Sequence, residues 1–351
     1  MDITDYLDLY GLGELASQVD GLFSDWNLSF YRLLQEVLQG NIKSGLNELW
    51  HGVLLGVKGS ISSYWELFLL LLTLGIIASF YQIFAASFHN HQIADTGYYI
   101  FYVAMMGILI KAFVSMQSIA VEFLNQMVLF IRLCIPAFCL CVGTATGGAT
   151  ATATYGSALF FLFLVEKVLR SIFLPALEVY ILLSVTNGLW EEERLNTLLD
   201  QMESLLRGGM KWMLGGVCGI TFVRNAIQPA MDSLAGSAFQ KMAASIPLLG
   251  NVADIAWQTT VGAAVLVKNG VGIVMVILLF LLGVVPLCMI GVFTLLLKAD
   301  AILLGLFQDN RSVHCMERMG EGGALLFQLL LSAMTVFFLF IALTVLLTNG
   351  G

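Results

Sequence analysis

Charged residues are scarce in this chain of 351 residues: they make up 11% of it, whereas hydrophobic residues make up 59%. A soluble domain typically carries about 25% charged residues, so a globule of this composition could not cover its surface with polar groups. The mean hydropathy of +0.88 agrees. These figures exclude a soluble protein and predict an all-α polytopic membrane protein, with the lipid bilayer as the solvent of most of the chain.

Residues that ligate metals or form disulfides are also few. The four histidines and six cysteines include no Cys-x-x-Cys pair and no cluster at metal-ligand spacing. The chain has no Gly-Lys-Ser or Gly-Lys-Thr motif, and "GLGELA" at 11–16 follows no predicted strand, so no nucleotide site is indicated. The sequence therefore predicts a non-enzymatic protein with no catalytic residues, no cofactor and no metal.

Basic residues are scarce at the N-terminus. Residues 1–50 hold eight acidic residues against only Arg32 and Lys43, so neither nucleic acid nor anionic lipid headgroups are expected as partners of that segment. The first residues have neither the basic nor the apolar region of a signal peptide. We expect either that the first span acts as the insertion signal or that a leader precedes the chain.

The pattern of apolar residues divides the chain near residue 60. Residues 1–60 have a helical rhythm, which predicts short amphipathic helices outside the membrane or along its surface. One such face comprises Phe30, Leu33, Leu34, Val37 and Leu38. Residues 61–351 are predicted to form a polytopic transmembrane domain of about seven spans. The apolar runs from which these spans are drawn are 64–84, 98–116, 127–142, 155–186, 208–230, 252–267, 271–297 and 323–347.

Two segments between these runs bear on the arrangement of the chain. An amphipathic surface helix with an acidic opposite face is predicted at about 190–207. Its apolar stripe is Leu195, Leu198, Leu199, Met202, Leu205 and Leu206. The polar segment 298–321 is predicted to be a loop; it holds Lys298, Arg311 and Arg318, which favours the cytoplasmic side. Seven spans would then place the acidic N-terminal region outside.

Charges inside the predicted spans are candidate functional residues, because an ionised group at the bilayer centre costs about 2.5 to 3.5 kcal/mol even on insertion scales. Glu166 and Arg170 are four residues apart and can pair on one helix face. Structural pairing and a role in conduction or coupling both remain open for the set. Its members are Lys111, Glu166, Lys167, Arg170, Glu178 and Arg224.

A polar break interrupts the apolar stretch "VLVKNGVGI" at 265–273. Lys268, Asn269 and Gly270 have the composition of an interfacial turn between two spans, because glycine adopts positive φ readily and asparagine tolerates it. The same composition occurs where a transporter helix is broken at a substrate site. The turn is the favoured prediction, and the three residues join the candidate functional set.

Residues 245–287, "SIPLLGNVADIAWQTTVGAAVLVKNGVGIVMVILLFLLGVVPL", resemble the corresponding stretch of the stage III sporulation protein AE family. The resemblance extends more loosely over most of the chain. It implies a multi-pass subunit of the mother-cell membrane around the forespore, in the secretion-like channel that joins the two cells and is required for endospore formation. The implied partners are other stage III sporulation A proteins, among them a cytoplasmic ATPase, and indirectly the forespore protein Q.

Two other functions are compatible with the residues alone. A stand-alone secondary transporter or permease would use the membrane-embedded charges and the break at 268–270 as its site. A membrane scaffold would use the same charges only to hold partner subunits. The family carries a signal sequence that this chain does not show, which leaves the side of the N-terminal region open.

Overall fold

The structure is a computed structural model that describes residues 12–23, 29–39, 43–86, 91–146, 148–187, 195–216, 219, 250–306 and 310–347. Within these ranges it contains helices and no strand, so the all-α prediction is confirmed. A π-helical turn, Leu169–Phe173, joins two of the helices. In chain order the helices are α1 (Leu12–Leu22), α2 (Phe30–Leu38), α3 (Lys43–Ala86), α4 (His91–Thr146), α5 (Gly148–Val168), α6 (Leu174–Asn187), α7 (196–216), α8 (Gly250–Gly305) and α9 (Asn310–Leu347).

Five helical stretches of the described chain are long and apolar enough to cross a membrane, which confirms a polytopic membrane protein. They are Trp50–Tyr81, Tyr99–Leu140, Leu159–Asn187, Asn269–Gly305 and Val313–Ala342. The count is below the predicted seven because two pairs of predicted spans each lie on one continuous helix. The predicted span at 208–230 begins in α7 and continues outside the described residues.

Helix α4 contains both of the predicted spans 98–116 and 127–142. The polar run between them, "QSIAVEFLNQ" at 117–126, was expected to separate them, but glutamine, glutamate and alanine are good helix formers and nothing in the run breaks a helix. Pro136, within the predicted span 127–142, does not end this helix. Beyond α4, the small residues at 148–154 are helical as the first turns of α5, which begins at Gly148.

Helix α8 likewise joins the predicted spans 252–267 and 271–297, so the turn predicted at Lys268, Asn269 and Gly270 is wrong. The glycine has a packing role instead. A Cβ atom on Gly270 would lie 2.9 Å from Leu38 Cδ2 and 3.3 Å from Leu34 Cδ1, so the missing side chain lets α2 lie against α8. Glycine is favoured both at a close contact between helices and in a turn, so the sequence could not distinguish the two.

The run 155–186 forms one span, Leu159–Asn187, and does not enter and return. Pro175 has no N–H and its ring would clash with the carbonyl of Ser171, four residues earlier. The Leu169–Phe173 π turn spans that position and widens the helix there. The chain therefore stays helical through the proline.

Helix α8 lies at the centre of the bundle and packs against α2, α3, α4 and α9. It runs parallel to α3: Gly56 lies against Val285, the Tyr64 ring contacts the Phe293 ring, and Gly75 lies against Leu304. It runs antiparallel to α9, with Gly320 against Lys298, Gly323 against Thr294 and Phe327 against Gly291. The loop predicted at 298–321 is mostly helix, because α8 extends to Gly305 and α9 begins at Asn310.

The N-terminal helices pack on the bundle. The Phe23 ring meets the Phe130 ring of α4 edge-on, with centroids 6.2 Å apart, and the N–H of Phe30 donates a 2.7 Å hydrogen bond to Asp20 Oδ1. The predicted apolar face of α2 is confirmed, since Phe30, Leu33 and Leu34 are buried in the common core. Residue 60 lies inside α3, so the chain is continuous where the two regions were divided.

Candidate functional site

Three pairs of polar side chains join α4 to the α5–α6 segment. Gln117 Nε2 donates to Glu178 Oε1, and Arg170 Nη2 donates to Asn125 Oδ1. Arg132 Nη2 lies 3.7 Å from Glu166 Oε2. All six residues lie within the candidate spans Tyr99–Leu140 and Leu159–Asn187. We call this set the polar seam: Gln117, Asn125, Arg132, Glu166, Arg170 and Glu178.

The spacing of the seam residues explains why they share one line. On α4 they are separated by eight and then seven residues, close to two helical turns each, so they lie on one face. Their partners on the α5–α6 segment follow in the reverse order along the chain, as antiparallel helices require. The seam covers about 22 Å of α4 at 1.5 Å per residue, which is most of the thickness of a bilayer's hydrocarbon core.

The π turn aligns the second half of the seam with the first. In an uninterrupted α-helix, Glu178 would lie about 120° around the axis from Glu166. The Leu169–Phe173 π turn takes up roughly one extra residue, near 100° of rotation, and so returns Glu178 to the side that faces α4. Pro175 thus determines which residues can meet across this interface.

The seam is exposed on the outside of the chain. The Arg132 side chain is 61% exposed, Arg170 is 34% exposed and Glu166 is 25% exposed. Asn125 and Glu178 are also exposed. Because charged groups in a bilayer face water, protein or each other rather than lipid, this side of the bundle is not suited to contact with acyl chains. It requires a water-filled space or another polar protein surface.

The structure shows where several of the predicted site residues lie. The Glu166–Arg170 pair is confirmed, with Arg170 Nη1 3.7 Å from Glu166 Oε1, but Glu166 also faces Arg132. Lys111 and Lys167 are exposed within their candidate spans. Glu178 belongs to the seam.

The other predicted site residues lie on α8 or outside the described residues. Arg224 and the side chain of Lys268 are outside the described residues. Asn269 and Gly270 are part of helix α8, which contributes no residue to the seam, and Gly270 contacts α2. The three residues of the predicted turn therefore form no site that the structure describes.

Three seam residues were missed from the sequence: Gln117, Asn125 and Arg132. Arg132 lies inside the run predicted as a span at 127–142, and its charge was a sufficient signal. Gln117 and Asn125 lie in the polar run that was expected to lie between two spans. Their eight-residue spacing is a helical signal that could have indicated one face of a continuous helix.

A second polar cluster holds α7 against α9 and α8. Arg207 lies 2.8 Å from Glu203 and 2.5 Å from Glu321, and Lys298 lies 2.8 Å from the other carboxylate oxygen of Glu321. Arg318 adds a 2.7 Å pair with Asp200 of α7. These residues fix the position of α7 and were not among the predicted site residues.

Of the amphipathic helix predicted at about 190–207, residues 190–194 lie outside the described residues, and the described helix runs over 196–216. Its buried stripe is narrower than predicted: Leu199 and Leu206 are buried, while Leu198 and Leu205 are exposed. Trp212, beyond the predicted end, is 82% exposed. The outer face of α7 is therefore apolar at 198, 205 and 212, seven residues apart.

Comparison with known proteins gives one consistent result. The sequence profile described as stage III sporulation protein AE matches residues 28–348, a range that includes the whole polar seam. The chain is 24% identical, over 283 residues, to the Bacillus subtilis (strain 168) protein named stage III sporulation protein AE; the match covers 80% of this chain and 70% of that protein. No solved structure matches.

Proposed function

Because this chain belongs to the stage III sporulation protein AE family, we propose that it is a non-enzymatic membrane subunit of a transport complex that joins mother cell and forespore and is required for endospore formation. The proposed location is the mother-cell membrane that surrounds the forespore. The proposed partners are the other stage III sporulation A proteins, including a cytoplasmic ATPase, and indirectly the forespore protein Q. A separate ATPase is consistent with a sequence that has no nucleotide-binding motif.

The exposed polar seam carries the proposal. A subunit that only anchored partners outside the bilayer would have no need of ionised groups on the outside of two membrane-spanning helices. A subunit that borders an aqueous path needs such a surface. The seam residues pair with one another, so they remain ordered, while Arg132 still exposes more than half of its side chain. We propose that this side of the bundle faces the water-filled path of the assembled complex.

Substitution of the seam tests this function. Asn125→Leu and Arg132→Leu each remove polar atoms yet leave the Glu166–Arg170 pair in place. In a spore-forming host, we expect both variants to insert into the membrane at normal levels. The number of heat-resistant spores and the activity of a late forespore reporter should each fall at least about tenfold. A tenfold fall corresponds to a free-energy penalty of about 1.4 kcal/mol on the transport step.

Leu129→Val is the matched control, because Leu129 is an exposed apolar residue that lies between Asn125 and Arg132 on the same helix and has no polar atom to lose. It should sporulate normally. Normal sporulation by both seam variants, at normal membrane levels, would contradict an aqueous role and favour a scaffold. Solute uptake by the purified chain alone in liposomes would instead support a stand-alone transporter.

A further inference from the structure

Asp300 is a carboxylic acid in the apolar centre of the bundle. It lies near the end of the candidate span Asn269–Gly305 of α8, and its relative exposure is 0%. Neither carboxylate oxygen has a hydrogen-bond partner in the part of the chain that the structure describes. The polar seam and the α7 cluster do not include it, so neither accounts for its presence.

The neighbouring contacts show which side of α8 carries Asp300. Phe293 and Leu304 lie seven residues before and four residues after it, hence on the same face of the helix. Phe293 contacts Tyr64, and Leu304 lies against Gly75, both on α3. The parallel register that joins these pairs places Leu71 of α3, which is fully buried, at the level of Asp300.

The charged groups nearest in sequence face another way. Lys298 is two residues from Asp300, about 200° around the helix, and pairs with Glu321 of α9. Among the ionisable groups on the surrounding helices, Tyr64 of α3 is partly buried and Tyr102 of α4 is buried. The Tyr102 hydroxyl interacts with the Cys315 thiol of α9. Glu66 of α3 is exposed.

An ionised carboxylate without a partner in such a place is strongly unfavourable, and proteins avoid this state by neutralising the group. We infer that Asp300 is a proton-binding site and that the bound proton keeps the α3–α8 contact closed. Loss of the proton leaves an anion between two apolar helices. Water must then enter between α3 and α8, and the helices separate around Leu71 and Leu304.

Infrared spectroscopy of the purified full-length protein tests the first step. At neutral pH the wild-type spectrum should contain a protonated carboxylic acid band that Asp300→Asn loses. Asp200→Asn is the matched control: Asp200 pairs with Arg318 on the bundle surface, is exposed, and should keep the band. An acid band that is identical in wild type and Asp300→Asn would overturn the proposal.

Alkylation of Leu71→Cys by an uncharged maleimide, followed by mass spectrometry of the peptide, tests the second step. The alkylation rate of Leu71→Cys in the presence of Asp300 is divided by its alkylation rate in the Asp300→Asn background. The pH dependence of the thiol itself is the same in both and cancels in this ratio. This ratio should rise roughly tenfold per pH unit until deprotonation is complete, and a flat ratio would overturn the proposal.

Asp300→Leu should fold and behave as Asp300→Asn. Failure of both neutral variants to fold would show that a structural anion is needed, which also overturns it. None of these measurements depends on sporulation.

Discussion

Gly270 is buried in α8 where α2 crosses it, and the space of one side chain determines whether the two helices can touch. Leu38 and Leu34 fill the place that a Cβ would occupy. The same position follows Lys268 and Asn269, so a local interpretation of the three residues favours a turn. A residue's identity reflects either its own backbone conformation or the proximity of another helix, and only the fold distinguishes the two.

Gly270→Val should therefore loosen the N-terminal helices. A branched side chain at this contact overpacks the interface, which typically costs about 1 to 3 kcal/mol. We expect α2 to become more susceptible to limited proteolysis in detergent, and the thermal unfolding midpoint to fall.

Gly107→Val on α4 provides the comparison for this variant, because nothing lies within 4 Å of a Cβ placed at Gly107. It should leave proteolysis at α2 unchanged. If Gly270→Val protects α2 as well as wild type does, the leucine contact is not what positions that helix.

Individual residues also show which contacts can be predicted from the sequence and which cannot. The Glu166–Arg170 pair follows from helical spacing alone and is confirmed. Its second partners, Arg132 and Asn125, come from a helix 34 to 45 residues earlier, and no local pattern could join them. Asp300 was overlooked because it lies in a predicted polar loop, where an aspartate is unremarkable, whereas α8 carries it into the core.

At the scale of elements, the π turn before Pro175 determines the register of the seam. The Pro175→Ala variant should restore α-helical hydrogen bonding. Glu178 would then rotate by roughly 100° away from α4, and its bond with Gln117 would be lost. We expect disulfide formation between cysteines at 117 and 178 to fall strongly in this variant relative to the same cysteine pair with Pro175 present.

Cysteines at 132 and 166 serve as the reference pair for that experiment. They lie N-terminal to the π turn, where Pro175→Ala should change little, so their cross-linking should persist. Equal cross-linking at 117 and 178 with and without the proline would mean that the π turn does not set the register.

The lengths of the helices were the least predictable feature of the elements. Composition located the apolar runs correctly, yet α4 and α8 each extend over 56 residues, about 84 Å. A polar run ends a span only if it leaves the hydrocarbon core, whose thickness is about 30 Å. Gln117 and Asn125 remain in the helix and pair with Glu178 of α6 and Arg170 of the π turn, tertiary interactions that hydropathy does not register.

For the whole molecule, the directions of the helices determine whether the number of membrane passes between any two of them is odd or even. Since α3 and α8 are parallel, the chain must travel along the bundle an odd number of times between them. Helix α4 and the α5–α6 segment provide two of these passes. Helix α7 runs parallel to α9, with Asp200 beside Arg318 and Arg207 beside Gln328, and provides the direction of the third. The described residues thus contain five candidate spans and the first part of the run predicted at 208–230, whose remainder lies outside them.

This geometry predicts the sides on which the ends of the bundle lie. The exposed Gln39, at the end of α2, lies near the end of the bundle where α3 begins, and His314 lies at the opposite end. A membrane-impermeant thiol reagent applied to intact cells should therefore label only one of Gln39→Cys and His314→Cys. The other should be labelled only after permeabilisation; labelling of both in intact cells would refute the helix directions described above.

The exposure of the seam also bears on the life of the protein in the cell. A newly inserted chain that presents Arg132 and Glu178 to lipid resembles an orphan subunit, the kind of substrate that membrane proteases remove. Covering that side by assembly would protect the chain from turnover. Its abundance would then follow the synthesis of its partners, and the stoichiometry of the complex would be maintained by degradation of any excess.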